Sequence, residues 1–237
     1  MISTAPLPVV FIPGASSDDT SWAAQRDYFA KKTTAIAVNL TAFDNVGAMA
    51  DYVLKTAPAE FALCGTSMGG YVALDVLKKG QGRVKKVILC NTSARADTPE
   101  RKLQRQAEVD LGEKTWLAAR QDDTHYNAFL SEKSARDKAL IARLREISMR
   151  VGYGCFARHQ AACAARVESL GFLSQIKLPV LVIGGAEDKL IPPELQAEIH
   201  QNIAGSLFTL IPDTGHVTNL EAPEAMTAVI DKFLFAA

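Results

Sequence analysis

Residues 61–73 of the chain read Phe-Ala-Leu-Cys-Gly-Thr-Ser-Met-Gly-Gly-Tyr-Val-Ala. A short apolar run leads into the pattern Gly-x-Ser-x-Gly, and apolar residues then recur at helical spacing as far as Gly80. The pattern predicts a strand, a sharp turn and a helix, with Ser67 held out above the sheet. Gly65 and Gly69 suit such a turn because strand and helix approach closely only where side chains are lacking. The helix would direct its N-terminal N–H groups toward negative charge developing at Ser67.

Strand-like and helical patterns alternate along most of the chain. Buried, strand-like apolar runs occur at residues 9–12, 34–38, 61–66, 84–90, 178–185 and 207–211. Helical patterns follow them at about residues 21–32, 44–56, 68–80, 192–202 and 222–234. This alternation predicts a mostly parallel sheet of about six strands flanked by helices, with ligands bound at the carboxyl ends of the strands.

Residues 95–170, called the helical insertion below, differ from the rest of the chain. They contain amphipathic stretches at about 100–112, 113–120, 134–149 and 154–170, and no strand-like run. We therefore expect one core made of residues 1–94 and 171–237, with the helical insertion between its two parts. The insertion has 14 Lys or Arg against 11 Asp or Glu, which fits either a weak preference for an acidic substrate or a solvated helical face. Candidates for binding a substrate carboxylate are Arg143, Arg150 and Arg158.

The composition favours a globular protein that acts on a small molecule. Lys and Arg together number 26, as do Asp and Glu, and no basic stripe stands out, so the sequence does not suggest nucleic acid or an anionic membrane as a partner. The N-terminus lacks the pattern of a secretory signal and no apolar run approaches the roughly 18 residues of a membrane span, so we expect a cytoplasmic protein. Four cysteines are too few for a disulfide framework at this length. Oligomeric state is not indicated.

A serine hydroxyl is a poor nucleophile unless a neighbouring base takes its proton, so Ser67 requires a histidine and an acid. Asp188 and His216 each follow a predicted strand directly, as Ser67 does, and a parallel sheet would bring all three to one edge. In this arrangement His216 accepts the Ser67 proton and Asp188 fixes the histidine tautomer. Glu187 and Asp213 are rival acids. Adjacent side chains in a turn face different ways, and Asp213 lies close enough before His216 to cap its own loop.

Four motifs together resemble the α/β-hydrolase superfamily over nearly the whole chain: Pro13-Gly14-Ala15, Gly65-Thr66-Ser67-Met68-Gly69-Gly70, Gly184-Gly185-Ala186-Glu187-Asp188 and Gly215-His216. The resemblance implies the α/β-hydrolase fold and an oxyanion hole formed by the backbone N–H groups of Ala15 and Met68. It also implies that the helical insertion is a cap placed after the sixth family strand, covering the active site and shaping the acyl pocket.

Two features depart from the usual family pattern. Pro13 stands where the family more often has a histidine, which removes a polar anchor from the loop that would carry Ala15. The first predicted strand, at residues 9–12, corresponds to the third strand of the family, so the N-terminal antiparallel hairpin is expected to be absent.

The implied function is that of a carboxylic ester hydrolase, which cleaves a small-molecule ester or thioester through an acyl-enzyme without a metal or an organic cofactor. Alternatives that use the same fold are a carbon–carbon bond hydrolase, a lyase and a cofactor-free perhydrolase. A dehalogenase is disfavoured because its chemistry needs a carboxylate at the position of Ser67. A non-catalytic ligand-binding module is the remaining alternative, and the complete set of Ser67, Asp188 and His216 argues against it.

The substrate pocket is the least defined part of the prediction. Residues whose positions make them candidate pocket walls are Trp22, Met68, Tyr71, Trp116, Tyr126, Phe129, Phe156 and Leu190. Each of these residue types is more often part of an ordinary core. His125 and His159, both in the helical insertion, are further candidates for the pocket, whereas His200 is expected at the surface.

Overall fold

The computed structural model describes residues 6–80 and 82–235. Six parallel strands form one sheet in the order β2-β1-β3-β4-β5-β6. The strands are β1 (Val9–Ile12), β2 (Ala35–Ala37), β3 (Phe61–Thr66), β4 (Val84–Cys90), β5 (Val180–Gly185) and β6 (Leu207–Ile211). This architecture confirms the predicted sheet, including its strand number and its parallel direction.

Helices cover both faces of the sheet. They are α1 (Ala23–Phe29), α2 (Val46–Thr56), α3 (Met68–Gly80), α4 (Pro99–Asp110), α5 (Gly112–Gln121), α6 (Lys138–Ala165), α7 (Leu170–Leu173), α8 (Pro193–Asn202), α9 (Thr218–Glu221) and α10 (Pro223–Phe235). Successive strand residues point to opposite faces. Accordingly, Val10 and Ile12 pack in the core with α2, α3 and α8, whereas Val9 and Phe11 pack with α1 and α10. None of these helices has the length and apolar character that crossing a bilayer requires.

The helical insertion contains α4, α5 and α6, with short 3-10 turns at Asp123–Ala128 and Ser134–Arg136. The φ angle of Gly152 is 76°, which breaks α6 into two helical parts. Residues with a side chain rarely adopt this conformation, so a glycine is suited to the break. The two helices expected near residues 134–149 and 154–170 are therefore the two parts of α6, and the second part ends earlier, at Ala165.

The order of the strands places the candidate site. The chain runs from β1 outward to β2 and then returns to the other side of β1 as β3. The loop after β1 and the Ser67 turn after β3 therefore lie side by side at the carboxyl edge of the sheet. Such a reversal of strand order opens a crevice where ligands bind in α/β proteins.

Candidate active site

Ser67 lies on a tight turn between β3 and α3. Its φ angle is 53°, a conformation uncommon for a residue with a side chain and typical of strained functional turns. The backbone N–H of Ser67 donates to the carbonyl oxygen of Cys90 at 2.9 Å. A Cβ atom on Gly65 would overlap the carbonyl oxygen of Gly69, and one on Gly69 would overlap that of Ile12. Close backbone packing thus requires glycine on both sides of Ser67.

Ser67, His216 and Asp188 form a continuous hydrogen-bonded chain. Ser67 Oγ lies 2.9 Å from His216 Nε2, and His216 Nδ1 lies 2.9 Å from Asp188 Oδ2. The carboxylate accepts hydrogen bonds only, so Nδ1 carries the imidazole proton and Nε2 is free to accept one. His216 and Asp188 are buried, and the Ser67 side of the group opens toward a cavity. This geometry can move a proton from Ser67 Oγ to His216.

Several hydrogen bonds hold Asp188 in its ionised form. Oδ1 accepts the backbone N–H groups of Leu190, at 3.0 Å, and Ile191, at 2.9 Å, while Oδ2 accepts the side-chain amide of Asn91 at 3.0 Å. Burial alone would raise the pKa of Asp188. The hydrogen bonds from His216, from the Ile191 N–H and from Asn91, together with the charge interaction with His216, outweigh burial and lower the pKa. Asp188 is therefore an anion at neutral pH.

The two rival acids point elsewhere. Glu187 is half-buried and accepts the backbone N–H of Glu132 at 2.9 Å. Asp213 is exposed and lies 3.4 Å from the ammonium group of Lys133. Neither is paired with His216, so of the three acids considered from the sequence, Asp188 is the one placed against the imidazole.

The position of His216 depends on hydrogen bonds that the sequence pattern did not predict. Glu221 accepts the backbone N–H groups of Gly215, at 2.9 Å, and Val217, at 3.2 Å, on either side of the histidine. The backbone N–H of His216 donates to the carbonyl oxygen of Phe129 in the helical insertion at 2.7 Å. Asn91, Glu221 and Phe129 thus fix the histidine loop. Asn91 directly follows β4, and this position at the end of a strand is the one sequence feature that could have identified it as a site residue.

The two predicted oxyanion-hole residues both border Ser67. Met68 is the first residue of α3, so its backbone N–H belongs to the free N-terminal turn of the helix. Ala15 follows Gly14, whose added Cβ would lie 3.5 Å from Ser67 Cβ, and Ala15 lines the same cavity as Ser67. The loop after β1 and the start of α3 therefore flank the serine hydroxyl, as an oxyanion hole requires.

His159 anchors the loop that carries Ala15. It is fully buried on α6, where Nδ1 accepts the backbone N–H of Ser16 at 2.9 Å and Nε2–H donates to the carbonyl oxygen of Leu40 at 3.1 Å. Burial lowers the pKa of His159, which keeps the ring neutral as this pair of bonds demands. His159 does not line the cavity above Ser67, contrary to the expectation from the sequence. It supplies from the insertion the polar anchor that Pro13 lacks.

A cavity of about 730 Å³ lies above Ser67 and His216, between the strand ends and the helical insertion. Of the predicted pocket walls, those that line it are Tyr71, Trp116, Tyr126, Phe129, Phe156 and Leu190. The expectations for Trp22 and Met68 as walls were wrong. Trp22 is fully buried, stacks on Phe11 with ring centroids 5.0 Å apart, and donates its indole N–H to Ile12. The Met68 side chain is fully buried in the core.

A family model described as the alpha/beta hydrolase family matches residues 9–229. The chain belongs to this family. Among solved structures, a thermophilic esterase from Thermogutta terrifontis, in a malate-bound form, is 30% identical; it aligns with 97% of this chain and 90% of its own, with a TM-score of 0.86. The fold of this chain is thus shared with an esterase over almost its full length.

Two curated relatives extend the comparison. The pimeloyl-[acyl-carrier protein] methyl ester esterase of Nitrosomonas europaea is 28% identical over 205 residues, covering 80% of this chain and 77% of the relative. A protein of Mycobacterium tuberculosis (strain CDC 1551 / Oshkosh), provisionally named a non-heme bromoperoxidase, is 28% identical over 188 residues, covering 76% of this chain and 69% of the relative. The relatives of this alpha/beta hydrolase therefore include esterases.

The arginines of this hydrolase are arranged differently from the expectation. Arg143 and Arg150 contact Thr20, and Arg150 also pairs with Asp18, while Arg158 donates to the carbonyl oxygen of Thr41. None of the three lines the cavity above Ser67. The cavity instead has on its walls the arginines Arg95, Arg101, Arg105, Arg120 and Arg166.

Two further observations bear on the chemistry of the cavity. His125 lines it, and burial, together with the charge of Arg120, lowers the pKa of the imidazole to about 4. His125 is therefore uncharged at neutral pH. Within residues 6–80 and 82–235, no group of three His, Cys, Asp or Glu side chains comes together as a metal site.

Proposed function

We propose that this protein is a serine hydrolase that cleaves a small-molecule carboxylic ester or thioester. The observation that carries the proposal is the unbroken chain of hydrogen bonds from Ser67 Oγ through His216 to Asp188. The 30% identity to an esterase over almost the whole chain supports the same conclusion. Ser67 would be the nucleophile, His216 the general base and Asp188 the group that orients the histidine.

The reaction would proceed in two steps. Ser67 Oγ attacks the ester carbonyl carbon as its proton moves to His216 Nε2, and the resulting oxyanion accepts the backbone N–H groups of Ala15 and Met68. The imidazolium then protonates the departing alcohol or thiol, which leaves an acyl group on Ser67. Water, deprotonated by His216, attacks this acyl-enzyme and releases the carboxylic acid. In this proposal the helical insertion, residues 95–170, acts as the cap that shapes the acyl pocket.

The direct test is hydrolysis of p-nitrophenyl esters of increasing acyl length by the wild type and by Ser67→Ala. The wild type is expected to release p-nitrophenol rapidly at the chain lengths that the cavity accepts, and Ser67→Ala is expected to lose at least about three orders of magnitude in kcat. A fluorophosphonate probe should label the wild type and not Ser67→Ala. Labelling without turnover of any ester would instead favour a carbon–carbon bond hydrolase or a lyase.

Perhydrolysis is a second candidate, favoured by the relative named as a bromoperoxidase. In this reaction hydrogen peroxide takes the place of water in the attack on the acyl-enzyme and releases a peracid. The same Ser67, His216 and Asp188 would serve both reactions. Assaying peracid formation from acetate and hydrogen peroxide, with Ser67→Ala as the blank, separates this activity from plain hydrolysis.

A further inference from the structure

Arg120 presents a buried positive charge to the cavity above Ser67. It lies on α5 with 9% of its surface exposed, and it lines the same cavity as Ser67 and His216. Its guanidinium carbon sits 4.8 Å from the centroid of the Trp116 ring and 5.1 Å from that of Phe156. Contact with two aromatic faces holds the guanidinium in place.

Each of the other arginines on the cavity wall is paired with a carboxylate: Arg95 with Glu198, Arg101 with Glu108, and both Arg105 and Arg166 with Asp97. Arg120 differs from all of them. Across residues 6–80 and 82–235, no carboxylate lies within 4 Å of its guanidinium, and its side chain makes one hydrogen bond, from Nε to Ser148 Oγ at 3.3 Å. Both terminal nitrogens of Arg120 are therefore donors without an acceptor in the described chain.

A second donor without an acceptor lies beside the first. The indole Nε1 of Trp116 is buried and has no hydrogen-bond partner among the described residues. Trp116 also lines the cavity, and its ring is the one on which Arg120 rests. Buried donors are normally satisfied, and a buried charge without a counter-ion is costly. An unpaired guanidinium and a buried, unpaired indole N–H in one wall of a cavity indicate a site for an anionic acceptor.

We propose that Arg120 and Trp116 form a subsite for a carboxylate carried by the substrate, so that the preferred substrates are half-esters of dicarboxylic acids. This inference rests on the proposed ester hydrolysis at Ser67. A carboxylate matches the fork of a guanidinium with two parallel hydrogen bonds, and its second oxygen can accept the indole N–H. Hydrolysis of such a half-ester consumes one water and yields the free dicarboxylate and an alcohol.

The charge balance of the cavity supports this choice. Burial lowers the pKa of Arg120, and the charge interactions with Tyr126 and Glu108 oppose this effect only in part. The Glu108 carboxylate is itself bonded to Arg101 and Gln160. His125 is uncharged at neutral pH, so it does not compete with Arg120 for an anionic group. Apolar side chains on the same wall, among them Leu144 and Ile147, can contact the methylene chain of the substrate. The subsite thus offers a cation to an anionic end group and an apolar surface to the chain that precedes it.

The kinetic test compares each half-ester with an uncharged ester of the same length, for instance monomethyl adipate with methyl hexanoate, in a series from succinate to suberate. Proton release in a pH-stat gives kcat/KM for each member. At the best chain length the wild type should prefer the half-ester, and Arg120→Met should reduce this preference by about 10- to 100-fold, the effect of a lost hydrogen-bonded charge pair. Arg136→Gln, an exposed arginine of the same insertion that does not line the cavity, is the matched control and should keep the wild-type preference.

Arg120→Lys is a second test variant in case Arg120→Met fails to fold, because it keeps the charge and removes the planar fork. It should retain part of the preference, which a purely structural role for the guanidinium would not predict. No preference for a half-ester at any length, or an equal preference in Arg120→Met and the wild type, would overturn the subsite.

Binding is measured separately from turnover with Ser67→Ala. Titration of this variant with monomethyl adipate should change the tryptophan fluorescence, because the carboxylate contacts the Trp116 indole. Trp22, whose indole N–H is already bonded to Ile12 in the core, should not respond. Saturable binding that Arg120→Met abolishes, without turnover by the wild type, would keep the subsite and refute the proposed hydrolysis. Turnover of neutral esters with no binding of the half-ester would keep the proposed hydrolysis and refute the subsite.

Discussion

Replacing Asp188 by asparagine should change which nitrogen of His216 carries the proton. In the wild type, Asp188 Oδ1 accepts two backbone N–H groups, from Leu190 at 3.0 Å and Ile191 at 2.9 Å. An asparagine must keep its oxygen at that position, since an amide NH₂ there would face two donors. Its NH₂ group therefore takes the place of Oδ2, which lies 2.9 Å from His216 Nδ1, and the hydrogen bond from the Asn91 amide to Oδ2 is lost.

The amide NH₂ at this place can donate and cannot accept. The oxygen that remains lies 3.1 Å from Nδ1 but already accepts two backbone N–H groups, so we expect Nδ1 to become the acceptor of the nearer NH₂ group, which moves the ring proton to Nε2. Nε2 lies 2.9 Å from Ser67 Oγ and, once protonated, can no longer take the serine proton. The expected loss in kcat is about 10⁴-fold, or ~5.5 kcal/mol of transition-state stabilisation, as for the wrong histidine tautomer in other serine triads.

The assay is steady-state hydrolysis of the best p-nitrophenyl ester, with circular dichroism to verify that each variant is folded. Glu187→Gln and Asp213→Asn are the matched controls, since both remove a carboxylate that is not paired with His216. Both should stay within a few-fold of the wild type, as surface changes usually do. Asp188→Asn activity within about tenfold of the wild type, or a large loss in Asp213→Asn, would refute the tautomer argument.

Two further predictions concern His159 and His125. His159→Phe removes the acceptor of the Ser16 N–H and the donor to the Leu40 carbonyl oxygen, so kcat should fall by about tenfold and the protein should lose about 1–3 kcal/mol of stability. His159→Gln can both accept and donate, so it should recover part of the activity and part of the stability. Esterase kinetics measure the first effect and urea unfolding the second. Folding lowers the pKa of His125 from 6.5 to about 4, so between these pH values the unfolded chain binds more protons than the folded one. The stability that this histidine contributes above pH 6.5 is therefore lost as the pH falls toward 4. Urea unfolding at a series of pH values should show a shallower decline of stability for His125→Gln, and an unchanged decline would contradict the neutral state of the half-buried His125.

The sheet and the positions of Ser67, Asp188 and His216 could be predicted because each depends on local sequence. A strand buried on both faces is a continuous apolar run, and a residue that directly follows it must lie at the carboxyl edge of a parallel sheet. Asp188 follows β5 within three residues, and His216 follows β6 within five. The pattern therefore placed all three at one edge without any knowledge of side-chain contacts.

The pocket could not be predicted in the same way, because it depends on how the helical insertion faces the core. The break at Gly152 rotates the second part of α6 relative to the first by an amount that no periodicity records. Arg150, before the break, turns to Asp18 instead of the cavity. Arg120 faces inward from α5, a helix whose burial depends on packing against α6. Trp22 was likewise misplaced because its 3-10 turn directs the indole down onto Phe11.

The central claim is that Ser67 carries the acyl group during turnover, and mass spectrometry of the quenched enzyme tests it most directly. Wild type mixed with a p-nitrophenyl ester and acidified during turnover should yield a peptide containing Ser67 that has gained the mass of the acyl group. Ser67→Ala, treated identically, should gain none and should not turn over. An acyl group found on another residue, or undiminished hydrolysis by Ser67→Ala, would contradict the account.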